Sequence, residues 1–356
     1  MKKILIFIIF AFAVKANYLC SQIYTPKGHY VTVLTNSEYP SGTITNLTND
    51  FQSTYPNAEI LQPASNRYNC HSYAWYRSEG GTGYYWLNQS PDLHWYWDDG
   101  SYIETTQQYA EKVFYYDGDH SAIISPTNSS KYESKWGSLP LVRHDPNYVP
   151  YSQPSHRKYY LWDMKINGSS IIYGSSNQSY TIDHIPANAS SFSFSYNTQL
   201  LTLVSTAGRT IKVKPKTSTT VGDAYVAVQI NFNSGSSKTV YKNVGIGGPH
   251  YSDVTLTVTR ASDGLEVYQS GYGSEPNTYY YGHIAGLPSG YSLTWSSNEL
   301  QIIYSSGNQV YFKTSSLGWG LLNVSSVNNS TGVTKTLLGA TLHGRRGSVV
   351  DGNTHK

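Results

Sequence analysis

Two short segments of this chain combine residue types suited to nucleophilic chemistry: Asn69-Cys70-His71-Ser72-Tyr73-Ala74-Trp75 and, further along, Gly118-Asp119-His120-Ser121-Ala122-Ile123. A cysteine attacks as its thiolate, so the first question is what would hold Cys70 ionised. A helix starting at Cys70, capped by Asn69 or by Asn66, sets the sulfur in the first turn. There unpaired backbone N–H groups and the positive dipole end favour negative charge. His120 then supplies the base, fixed at the head of the apolar run Ala122-Ile123-Ile124. A third group must hold the His120 ring in one tautomer. His144, at the end of Leu141-Val142-Arg143, is the first choice, and Glu133 is the alternative. His71 reads as a packing or surface residue.

These side chains need elements to position them. The helix runs from Asn69 to Ser78 and is stopped by Gly80-Gly81. His120 opens one strand, Tyr132–Gly137 forms the next, and Leu141–Arg143 another, ended by Asp145-Pro146. In such a frame His120 takes the Cys70 proton and the thiolate can attack a carbonyl carbon. The Cys70 backbone N–H helps hold the oxyanion, and water resolves the thioester.

The pairing of NCHSYAW with GDHSAI, followed by SKWG, resembles the papain-like cysteine hydrolases of the NlpC/P60 and CHAP type. It is closer still to a group of exported bacterial proteins sharing a Cys-His-Ser-Tyr-Ala-Trp helix. The resemblance covers roughly residues 60 to 150. It implies an α+β papain-like domain that cleaves amide bonds in peptidoglycan stem peptides or other peptides, without a cofactor. One departure is His71, where that family usually carries Ser after the nucleophile; another is the next strand, which offers Glu133 or Ser134 in place of a His.

Composition sets the wider frame. The 356 residues carry 13% charged side chains, low for a soluble domain, and include 34 Tyr. A net charge of +3 with no clustered basic face argues against nucleic-acid binding. Residues 1–22 have the layout of an export signal: two lysines, then an apolar run from Ile4 to Val14 that is too short to span a bilayer. Cleavage is expected near Ser21 or Gln22. The residue before Cys20 is not the small one a lipoprotein signal uses. Removing the leader with Cys20 would leave Cys70 without a disulfide partner.

The Cys/His domain is expected over 23–155, with a linker at Val149–Tyr160. Beyond it, SYTIDHIPANASSFSFSY from Ser179 aligns without gaps on TYYYGHIAGLPSGYSLTW from Thr278, placing His184 on His283 and Tyr196 on Trp295. That period suits two tandem Ig-like β-sandwiches, at 160–247 and 248–343, before a flexible tail at 344–356. Such modules carry adhesion or spacing rather than chemistry, and the paired histidines read as structural. A carbohydrate or protein ligand of these modules is the alternative functional reading, that of a cell-surface binder with an inactive Cys/His domain. Tyr73, Trp75, Trp95 and Trp97 are candidates to line a substrate groove. In WYWDDG strand alternation would put Trp95 and Trp97 on one face. Zinc is set aside, because adjacent Cys70 and His71 cannot readily enter one tetrahedron from a helix.

Overall fold

The computed structural model describes residues 20–88, 92–151, 153–268 and 273–343. The leader up to residue 19 and the tail at 344–356 lie outside them. Strand β1 (Cys20–Tyr24) is the first described element, and its first residue already pairs with Leu34 in β2 (Tyr30–Leu34). The chain divides into two compact units. One reaches Asp163 and takes in Pro186–Ser191 and Asn231–Ser237, and the other holds the rest.

In the first unit, helix α1 (Ser41–Thr54) and strand β3 (Glu59–Gln62) precede helix α2 (Cys70–Trp75) and a helical turn, α3 (Trp95–Asp98). Strands β4 (Tyr102–Thr105), β5 (Lys112–Tyr115), β6 (His120–Ile124), β7 (Tyr132–Lys135), β8 (Leu141–His144) and β9 (Arg157–Trp162) come next. With β3 they make one antiparallel sheet of seven strands in the order β3-β8-β7-β6-β5-β9-β4. The middle strands β5, β6 and β7 are buried at every position, as expected of strands covered on both faces. Helix α2 packs on these three. Strand β9 includes Arg157–Tyr160 of the expected linker and pairs with both β4 and β5.

The α+β papain-like domain does not appear. The molecule is 46% strand and 11% helix, and its structural character is mostly β. The physical reason lies in the segments that would have supplied helices. α2 stops after six residues because Tyr76 leaves helical geometry and Gly80 turns left-handed at φ 91°. α3 is a single turn, and the rest of the unit forms strands that satisfy their backbone groups across the sheet. The hydrolase class attached to that fold falls with it.

The second unit contains the two β-sandwiches apart from the ends of β13, β16 and β17 that fall in the first unit. The first has strands β10 (Ile166–Asn167), β11 (Ile171–Ile172), β12 (Gln178–Ile182), β13 (Ala189–Tyr196), β14 (Leu201–Ala207), β15 (Thr210–Pro215), β16 (Gly222–Phe232) and β17 (Ser237–Ile246). They form sheets ordered β10-β12-β15-β14 and β11-β17-β16-β13. The next has β18 (Thr255–Arg260), β19 (Tyr279–Ala285), β20 (Tyr291–Asn298), β21 (Gln301–Ser306), β22 (Gln309–Lys313), β23 (Gly320–Asn328) and β24 (Thr334–Leu342), ordered β18-β19-β22-β21 and β20-β23-β24.

The internal repeat is visible in the hairpins β14–β15 and β21–β22. Both break register at one bulged residue, Val204 in the former and Ile303 in the latter. The gapless match upstream is different. It lays buried Tyr180 on exposed Tyr279, whereas the pairing with the bulged hairpins sets Tyr180 at the position of Gly282, three residues on, so His184 and His283 are not equivalent positions. Trp295 packs against the core of its sandwich, which includes Val324 and Phe312, without a disulfide.

Candidate functional site

Asn69 fixes the start of α2. Its side-chain oxygen accepts from the backbone N–H of Ser72 at 3.1 Å and of Leu87 at 3.2 Å, while its amide donates to the Leu87 carbonyl at 2.7 Å. Cys70 therefore occupies the first helical position, 5% exposed, with the imidazoles of His71 and His120 as its electrostatic neighbours. Burial pushes the Cys70 thiol up, but those two rings outweigh it and hold the thiol well below its ordinary range.

His71, expected as a packing residue, is the best-anchored group in the cluster. Nε2 lies 2.9 Å from Asp119 Oδ1 and Nδ1 lies 2.8 Å from Ser121 Oγ. An ionised carboxylate only accepts, so Nε2 carries a proton. Ser121 Oγ also accepts from Trp75 Nε1 at 3.0 Å. Burial pulls the His71 imidazole down, yet the Cys70 charge and the Asp119 hydrogen bond carry it up to about 9. Asp119 is held low in turn, chiefly by its hydrogen bond to His71. Its backbone sits in the left-handed region at φ 46°, which turns the residue ahead of β6 back toward α2.

His120 opens β6 as expected and is fully buried beside the sulfur. Neither ring nitrogen has a nitrogen or oxygen partner, and the polar group the ring interacts with is the Cys70 thiol. The ring stacks on Tyr151 at 4.2 Å and 21°. His144 does not orient it. Nε2 of His144 lies 2.8 Å from Ser134 Oγ and Nδ1 lies 2.8 Å from the Asp145 carbonyl oxygen, so both its nitrogens are engaged elsewhere. Glu133 is engaged too, accepting from Arg143, Ser125 and the Tyr73 hydroxyl.

The aromatic candidates divide between core packing and the surface. Tyr73 is tied to Glu133, and Trp75 is buried with its indole N–H on Ser121. Trp97 stacks on Tyr160 at 4.9 Å. Trp95 stacks on His29 at the surface, at 3.8 Å. The strand expected through WYWDDG is the turn α3, so alternation does not apply there.

Sequence reasoning missed His71 as a participant, together with Asp119, Tyr151 and Lys135. The buried Lys135 Nζ donates to the carbonyls of Ser65, Gly137 and Leu139, and burial pulls it down to about 7. The signal for His71 was the Asp119 immediately before His120, which a helix packed on β6 brings within reach. Nothing local in the sequence marks Tyr151 or Lys135.

No family model matches this chain, and no curated protein matches it. Among solved structures it is similar to the C-terminal 282-residue fragment of intimin, solved in complex with the intimin-binding domain of the translocated intimin receptor. Identity there is 16%, over 50% of this chain and 63% of that one, with a TM-score of 0.19. It is also similar to the Yersinia pseudotuberculosis adhesin InvE, at 13% identity over 50% of this chain and 58% of that one, TM-score 0.18. The titin Ig tandem domains match at 12% identity over 51% of this chain and 95% of theirs, TM-score 0.20. The chain spans less than two thirds of the intimin fragment and of the adhesin.

Proposed function

We propose that this chain is an exported surface protein that binds an oligosaccharide through its second sandwich. One observation carries the reading: a row of tyrosines on the outer face of β19, β22 and β21. Tyr311 sits at its centre, with ring centroids 5.4 Å from Tyr279, 4.7 Å from Tyr281 and 5.4 Å from Tyr304. Tyr279, Tyr281 and Tyr304 are exposed, the last at 51%. Lys313 lies over the Tyr279 ring.

Exposed aromatic faces at this density are costly to leave in water and suit a partner with alternating apolar and hydroxyl surface. The strand registers set Thr257, Thr259, Ser306 and Gln309 beside the row, with Lys313 at one end, a set that favours a sugar over a strongly charged ligand. The leader-like first residues of the sequence support export. Among the described residues no helix is long and apolar enough to cross a membrane.

The test is binding of the intact protein to immobilised polysaccharides, compared with the variant Tyr281→Ser/Tyr304→Ser/Tyr311→Ser. Loss of binding in the variant with unchanged thermal unfolding supports the reading. Equal binding by the two proteins, or no binding by the parent to any polysaccharide tested, overturns it.

A further inference from the structure

The N-terminal unit holds a second feature, independent of the tyrosine row. Cys70 and the imidazoles of His71 and His120 meet where α2 packs on β6 and β7. The two rings are unequally satisfied. His71 has both nitrogens occupied, by Asp119 and Ser121, and has none left for a ligand. His120 is fully buried, neither of its ring nitrogens has a nitrogen or oxygen partner, and its polar interaction is with the Cys70 sulfur. Buried polar atoms without a nitrogen or oxygen partner are costly and are kept where something else completes them.

We propose that this cluster is a covalent-capture site for a small electrophilic carbonyl compound, with Cys70 as nucleophile, His120 as proton donor to the carbonyl oxygen, and Asp119 as a positioning residue acting through His71. The depressed Cys70 thiol and the raised His71 imidazole support the same division of roles. The sulfur adds to the carbonyl carbon, forming the C–S bond as the C=O π pair moves to oxygen. That oxygen takes, through His120, the proton that the Cys70 thiol gave up, giving a hemithioacetal, and His120 ends the step as it began. No oxidant, reductant or leaving group is required, and the reverse steps release the ligand. The ligand is small because Cys70 is only 5% exposed and Tyr151 covers the His120 ring.

The experiment uses the full chain, with iodoacetamide alkylation of Cys70 as readout and propionaldehyde as the protecting carbonyl. In the parent protein alkylation should follow an apparent thiol titration well below about 8.5. Asp119→Asn should move that titration up by about one unit. Its side chain is 67% exposed, so this variant keeps the fold even where His71→Gln does not. Propionaldehyde should slow alkylation of the parent. In His120→Gln the protecting concentration should rise about tenfold or more while the thiol remains reactive. A parent thiol that is unreactive or titrates in the ordinary range overturns the proposal. So does a titration unmoved by Asp119→Asn, or protection equal with and without His120. Should His120→Gln unfold, absence of protection in the parent still refutes it.

Discussion

His71 Nε2 and Asp119 Oδ1 stand 2.9 Å apart, joining the second residue of α2 to the residue that precedes β6. This contact fixes which histidine serves as counter-ion to the sulfur. The neighbour of Cys70 in sequence is clamped by a carboxylate, and the histidine at the strand start is left open.

Asn69 makes three hydrogen bonds from a buried position, two accepted and one donated. Asn69→Ala should lower unfolding free energy by about 1–3 kcal/mol, since it removes a cap and strands the Leu87 groups. Chemical denaturation checks this. A variant within experimental error of the parent would show that the helix start is held by other contacts.

His144 gives the fold an acid-sensitive element. Burial pulls its imidazole down to about 4, with the nearby His120 and Lys131 charges adding to the effect and the Asp145 carbonyl opposing it. Between about 4 and 6.5 the unfolded chain binds the proton and the folded chain does not, so stability rises with pH there. That contribution is fully present above about 6.5 and is lost toward pH 4, on the order of 3 kcal/mol. Urea midpoints at pH 7 and pH 4.5 should differ accordingly, and His144→Gln should flatten the dependence.

His71 acts in the opposite direction. Its folded value, raised to about 9, makes its contribution complete below about 6.5 and lost as pH rises through about 9. The lowered Cys70 thiol contributes the opposite slope over the same range, so the pair offsets itself in the parent; Cys70→Ser should uncover the alkaline fall, and adding Asp119→Asn should weaken that limb. An alkaline limb equally steep in the variant would show that another group is responsible.

Lys335, on β24, is buried with its ammonium on Asp223 of β16 and on the carbonyl of Pro249, bridging the two sandwiches of the second unit. Burial lowers the amine, and Asp223 opposes that shift. Asp223→Ala strands a buried charge and should cost about 3 kcal/mol. Lys335→Met with Asp223→Ala together should recover part of it. Calorimetry of the single and double variants decides the matter, and additive losses would rule out the pairing as a stabilising contact.

Much of the local architecture was legible. The Asn69 cap and the strands opened by His120, Tyr132 and Leu141 follow from residue type and turn chemistry alone, whereas the helix, expected to reach Ser78, ends at Trp75. The third partner was not legible, because His144 lies on a neighbouring strand whose packing gives its nitrogens to Ser134 and Asp145 instead. WYWDDG misled because its apolar residues fit a two-residue period as well as a single helical turn, and four residues cannot separate the two. The layer class was overread from two motifs spanning a minority of the chain, while the seven-stranded sheet is assembled from pairings such as β5 with β9 that no local signal specifies.

The paired bulges carry a consequence for tandem copies on one polypeptide. β14 and β21 are edge strands of their sheets, and each is interrupted at the same place by an exposed aliphatic residue, Val204 at 40% and Ile303 at 44%. Modules of similar sequence on one chain meet at high local concentration while folding, when an unbroken edge invites zippering onto the wrong copy. A kinked ladder denies such a template, so the irregularity that spoils ideal pairing within each hairpin is also what keeps one module from borrowing strands from the other.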